Sequence, residues 1–158
     1  MRTLTASILL LFGVVLLPDA GHAQYLESRT LSLDGARQVL EGSLTEARAN
    51  GWDVAISIVD PAGGQILFQR FDGVGPLPLE IALRKARTAA RFGQPTKALA
   101  DMVAGGGIGF LALEGLMPLE GGLPILVDGQ IVGAIGVSGV RGDQDAQIAQ
   151  AGIDALLQ

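Results

Sequence analysis

Between Glu80 and Lys97 the stretch EIALRKARTAARFGQPTK gathers five of the eleven basic residues of a 158-residue chain whose formal net charge is -5. Cations so concentrated can bind an anion, and a lysine among apolar neighbours can also serve as a base once burial disfavours its charge. On a wheel of about 100° per residue, Glu80, Arg84, Arg87 and Arg91 share one narrow sector, with Glu80 and Arg84 four apart; this reads as a solvated helix face. Lys85 projects almost opposite, among Ile81, Ala89 and Phe92. Three readings stay open for it. Its stem packs while the ammonium reaches water, it pairs with a buried carboxylate, or its charge meets a ligand in a pocket.

Other chemistries are removed by composition. The absence of cysteine excludes disulfides, thiolate metal sites, lipoprotein anchoring and cysteine nucleophiles. The single histidine, His22, lies in a segment that reads as an export signal: Arg2, an apolar run from Ile8 to Leu17, Pro18, then Gly21 and Ala23 as the small residues of a cleavage site. Cleavage after Ala23 is expected, giving a signal peptide over residues 1–23, a single domain over 24–158 and a periplasmic or secreted protein without a stable membrane anchor. That chain has no imidazole for a triad, a zinc site or a general base. GVSGV around Ser138 lacks the second outer glycine of a nucleophile elbow, Val140 standing in its place. AGGGIG from Ala104 lacks the Lys-Ser/Thr pair of a phosphate loop and reads as a hinge or loop. An acidic balance with no large basic surface excludes nucleic acid and anionic lipid as partners.

The elements that must position these residues are legible from period and caps. Ser32 precedes an apolar-periodic segment, Leu33 to Asn50, that Gly51 closes. WDVAISIVD and QILFQRF flank PAGG as a first hairpin, and GLPILV and QIVGAIGVSG flank Asp128-Gly129 as a second with a two-residue turn. Between them lie two helical patterns, Leu77 to Phe92 and Thr96 to Ala104, parted by Gly93 and Pro95. Ile108 to Glu114 suggests a further short strand, and the chain ends on a helix from about Gln144 to Leu157 whose acidic start, Asp143 and Asp145, suits the positive helix end. Hairpins with segregated helices predict an α+β fold, a central antiparallel sheet of about five strands flanked by helices in a profilin-like layered architecture. Gly133, Gly136 and Gly139 in the last strand signal a close approach, by a helix before a ligand. The alanines of the middle helix suggest burial in a central layer or at a subunit interface.

In order along the chain, LSLDGARQVLEGSLTEARANGWDVAISIVDPAGG, ALRKARTAARFGQPTKAL, PLEGGLPILVDGQIVGAIGVSG and DQDAQIAQAGIDAL resemble the GlcG/HbpS-like haem-binding proteins, related to the C-terminal domain of the PduO-type corrinoid adenosyltransferases. The resemblance implies a homo-oligomer, with haem as cofactor or corrinoid in its place, and an exported branch in haem or redox sensing. It also implies an iron contact at the threonine after the middle helix, here Thr96, which reads equally as a cap for the next helix. Lys85 matches the basic position of the family's KA-x-TA element. Conventional strong haem ligands leave Met102, Met117 and Tyr25 in this chain, Met102 reading first as core filler and Met117 as a loop-edge residue. A hydroxyl contact through Thr96, with Lys85 or Lys97 on the propionates, predicts loosely held haem.

Three functions follow in order: an exported tetrapyrrole-binding sensor or accessory protein in haem or redox homeostasis, a binding module for a small organic acid of the glycolate type with Lys85 as its anion contact, and an enzyme using Lys85 as base with a carboxylate such as Glu120. Glu120 reads equally as a turn residue, and no carboxylate pair of catalytic spacing stands out.

Overall fold

A computed structural model describes residues 28–158; the leader assigned to residues 1–23, with His22, and Tyr25 beyond it, lie outside the described residues. The first helix, α1 (Leu33–Asn50), starts where Ser32 Oγ accepts from the Gly35 N–H at 3.1 Å and stops at Gly51, left-handed at φ 67°, whose N–H reaches the Ala47 and Arg48 carbonyls. The serine and the glycine thus satisfy backbone groups that the helix ends leave unpaired. One face of α1, Ala36, Val39, Leu40, Ser43, Leu44 and Ala47, is buried.

Strands β1 (Ala55–Val59) and β2 (Gln65–Arg70) form the first hairpin, and β3 (Gly122–Val127) and β4 (Gln130–Ser138) the second. They join into one antiparallel sheet in the order β2-β1-β4-β3, with Ser57 opposite Gly136 across the central pair. The β3–β4 turn holds Asp128 and Gly129 at φ 52° and 74°, the doubly positive backbone that makes Asp-Gly a preferred two-residue turn. Among the described residues the sheet has four strands and not the expected five or so. Ile108–Ala112 is a short 3-10 helix instead of a strand. Its polar groups close local turns, Phe110 N–H to Gly107 O at 3.1 Å and Leu113 N–H to Phe110 O at 3.0 Å, so no ladder is available to extend it.

Alternation along the strands divides the core in two. Ile56, Ile58, Ile135 and Val137 face one way, into a cluster with Val39, Leu40 and Leu44 of α1 and Ile148, Ala149 and Ile153 of α4 (Gly142–Leu157). Small residues face the other way, where Val59 and Ala134 meet Ala86, Ala89 and Ala90 of α2 (Pro76–Phe92). Here the helix backbone lies almost on the sheet. A Cβ at Gly136 would run into the Ala82 carbonyl and the Ala86 backbone, so this glycine marks the helix approach expected of it. Helix α3 (Thr96–Ala104) follows after Gly93, left-handed at φ 66°, and leads through the 3-10 helix back to β3.

Candidate functional site

Helix α2 carries cations on two sides, and the two sides have different fates. Toward the sheet, Lys85 is 3% exposed. Its Nζ donates to Asp145 Oδ2 and to the Val137 carbonyl, both at 2.8 Å. Asp145, at the start of α4, also accepts from the Val140 N–H at 3.2 Å. Of the three readings open to Lys85, the structure selects the pair with a buried carboxylate. Burial pushes the Asp145 carboxyl above its usual range, with the Lys85 ammonium and the hydrogen bonds of Val140 and Gly139 opposing that rise. Gly121 fits over the pair because it has no side chain and sits at φ 119°; a Cβ there would lie 2.7 Å from both Lys85 Nζ and Asp145 Cβ.

Thr96 closes the same node. It is fully buried, and its Oγ1 donates to the Leu119 carbonyl at 2.6 Å while accepting from the Gly122 N–H at 2.9 Å. It is the first residue of α3 and makes no side-chain cap bond. The hydroxyl expected to contact iron or cap a helix instead fastens the 119–122 turn to α3, because the Gly122 N–H would otherwise be buried unpaired. Lys85 and Thr96 are therefore spent inside the protomer, and neither presents a free polar atom to a ligand. Among the described residues every buried side-chain nitrogen and oxygen has a partner.

The other side of α2 is open. Arg84, Arg87 and Arg91 do not simply wave in solvent. Arg84 Nη2 donates to the Leu116 carbonyl at 3.2 Å, Arg87 Nε to the Gly63 carbonyl at 3.0 Å and Arg91 Nη1 to the Glu114 carbonyl at 3.1 Å. Thr88 between them accepts from the Met117 N–H at 3.0 Å. The arginine sector thereby floors a cleft, with the β1–β2 turn at Pro61–Gly63 on one bank and Gly115–Leu116 on the other. Two hollows of about 330 and 100 Å³ share Arg87 and Arg91.

Beyond the second bank the chain exposes apolar surface. Gly107, Gly109, Phe110 and Leu113 line an open hollow of about 390 Å³, and Ile108 beside it is 71% exposed. Met102 is not core filler. It is 41% exposed on α3, and its Cγ would lie 3.2 Å from a Cβ on Gly107, so its side chain lies beside one of the residues that line that hollow. Met117 is half-buried under Thr88. Lys97 is exposed and paired with Asp101 at 2.7 Å; the hydrogen bond to Asp101, more than its charge, raises the lysine's pKa. Glu120 is half-buried in the turn before β3 and forms no ion pair among the described residues. The sequence did carry a signal for the hollow: GGGIGFLALEGLM is apolar without a helical or strand period, which is what exposed apolar loops look like. Among the described residues, no group of three or more acidic, histidine or cysteine side chains is placed to hold a metal ion, and no helix is long and apolar enough to cross a membrane.

Known proteins share the fold and much of the sequence. The family model described as haem degrading protein HbpS-like matches residues 31–154. Protein GlcG of Escherichia coli strain K12 is 41% identical over 108 residues, which is 68% of this chain and 81% of that protein. A double mutant of Streptomyces reticuli HbpS superposes with a TM-score of 0.78 at 33% identity, over 86% of this chain and 93% of the other. PduOC, solved as a haem complex, gives a TM-score of 0.74 at 29% identity, over 80% of this chain and 94% of that one.

Proposed function

The chain belongs to the HbpS-like family, and from that membership we propose that it binds haem at the apolar hollow along the 3-10 segment that follows α3. The observation that carries the reading is the open hollow of about 390 Å³ lined by Gly107, Gly109, Phe110 and Leu113, with the exposed Met102 side chain next to Gly107. Its size falls within the range of about 300 to 1,000 Å³ usual for small-molecule sites. The residues suit a tetrapyrrole. Two glycines leave room for a flat ring face, Phe110 and Leu113 offer it apolar contact, and a thioether is a recognised haem ligand. Met102 replaces Thr96 in the iron role, since the Thr96 hydroxyl is committed to the turn. Bound there, haem would supply a redox-active iron; the chain itself supplies apolar contact, one soft ligand and partial exclusion of water.

Titration with haem, read by its absorbance, tests the site. The wild type is expected to show a spectral change that Met102→Ala alters and Phe110→Ser with Leu113→Ser weakens. Binding indifferent to all three substitutions would place haem elsewhere, and a corrinoid titrated in parallel that bound in its stead would change the ligand. We further propose an exported, oligomeric sensor or accessory protein. The basic start and apolar run of residues 1–23 support export, which the N-terminal sequence of material from a periplasmic fraction checks. Exposed Ile108, Leu111 and Leu119 support a second copy covering this edge, which the native mass checks.

A further inference from the structure

We propose that the cleft floored by Arg87 and Arg91 is a carboxylate-binding site. Both guanidiniums are exposed, and neither forms an ion pair among the described residues, although the protein is acidic overall. Each makes one hydrogen bond, to a carbonyl on an opposite bank, Arg87 to Gly63 and Arg91 to Glu114. Those bonds fix where the two guanidiniums sit and leave most of their five N–H donors unused. The nearby acid on the first bank is otherwise engaged: Asp60 Oδ1 accepts from the Ala62 and Gly64 N–H groups, both at 2.8 Å. Two fixed cations thus face one hollow of about 330 Å³ without an ion-pair partner among the described residues.

The anion is a carboxylate because of what the cleft lacks. Phosphate sites characteristically offer a nest of backbone N–H groups or a helix N-terminus. Here the turn's amides are consumed internally, Gly63 N–H by the Asp60 carbonyl at 3.0 Å and the other two by the Asp60 side chain. What remains is a pair of planar forks, the match for a planar carboxylate. Pro61, Ala62, Phe92 and Leu116 add apolar wall on either side, which suits a carboxylate borne on a carbon skeleton. Two sources share this chemistry: a free small organic acid, and the carboxylate arms of a tetrapyrrole. The site stands on the arginine geometry, and only its second source rests on the haem reading.

Calorimetric titration of the full-length processed protein separates them, with succinate, inorganic phosphate, haem and haem dimethyl ester as probes, on wild type and Arg87→Gln/Arg91→Gln. If the carboxylates are the tetrapyrrole's, haem binds at least about tenfold more tightly than its ester, and the double variant abolishes that preference, since a charge-assisted pair of bonds is lost. If they are a free acid's, succinate binds the wild type and not the double variant, whether or not haem binds at all. Arg87→Lys/Arg91→Lys keeps the charge but not the forks and is expected to lie between. The proposal is overturned if phosphate outcompetes succinate, or if neither succinate binding nor the haem-to-ester preference depends on the arginines. Unchanged urea midpoints in the variants show that the result is not a folding effect.

Discussion

Lys85 and the Arg87/Arg91 pair sit within two turns of one helix, and they differ in how completely their charge is answered. Lys85 is sealed against the sheet with a carboxylate and a carbonyl at 2.8 Å. The two arginines face a cleft with one carbonyl each. A fully answered, buried cation belongs to the architecture, because taking its partner away leaves an uncompensated charge in low dielectric. A fixed, exposed and half-answered cation has donors to give. The sequence left a ligand contact among three readings for the lysine and read the arginines as a solvated face; the structure pairs the lysine with Asp145 and anchors the arginines to carbonyls beside a cleft.

The largest effect that can break this contrast comes from Lys85. Lys85→Met leaves Asp145 buried and unpaired, and about 3 to 5 kcal/mol of stability should go with it. Adding Asp145→Leu should recover much of that loss, because two apolar side chains need no charge compensation. Urea unfolding of the two variants measures both. A Lys85→Met protein of normal stability that no longer binds ligand would reverse the assignment.

The same pair predicts a pH dependence. Burial holds the folded Asp145 carboxyl above its unfolded value of 3.8, so over the interval between the two the native state binds more protons than the unfolded chain. Stability contributed by Asp145 is then full below 3.8 and lost as pH rises through the folded pKa. In Lys85→Met the opposing ammonium is gone, so the interval should extend to higher pH and the loss deepen. Urea midpoints across the acid range, compared with the Asp145→Leu double variant in which this slope vanishes, check the sign.

A smaller effect is expected at Thr96. Thr96→Val keeps the shape and removes the hydroxyl that joins the Leu119 carbonyl to the Gly122 N–H, a loss of about 1 to 3 kcal/mol for the buried Gly122 N–H left unsatisfied. The haem spectrum should be unmoved. A spectral change at unaltered stability would return the threonine to the iron.

What the sequence disclosed was local. The Ser32 and Gly51 caps, the Asp128-Gly129 turn and the small face of β4 each state their structure within a few residues. The oddity of Lys85 was also visible, but its answer lay 60 residues away. A wheel on the last helix points to it: Asp145 shares a face with Ile148, Ala149 and Gly152, all buried, where an acid has no business unless it meets a cation. Reading Asp145 only as a helix-start acid hid that. The arginine cleft was less accessible still, because its banks come from the β1–β2 turn and the loop before β3, and nothing in the order of residues says that two loops will flank one helix face. The missing fifth strand was an error of pattern: Ile108 to Glu114 is apolar enough for a strand, but among glycines and without a free ladder it closed on itself.

The smallest expected effect sharpens the contrast from a third position. Lys97 lies in the same basic stretch as Lys85 and the arginines, and it was a candidate partner for propionates. Its ammonium is exposed and meets Asp101 four residues on, an arrangement in which solvent screens most of the attraction. It neither holds the fold, as Lys85 does, nor faces a cleft with unanswered charge, as the arginines do. Lys97→Gln should therefore leave the urea midpoint, the haem spectrum and the haem-to-ester preference within error of wild type. Should it weaken haem as strongly as Arg87→Gln/Arg91→Gln, the ring carboxylates lie over α3 and not over α2, and completeness of pairing ceases to separate the cations that build this protein from those that bind.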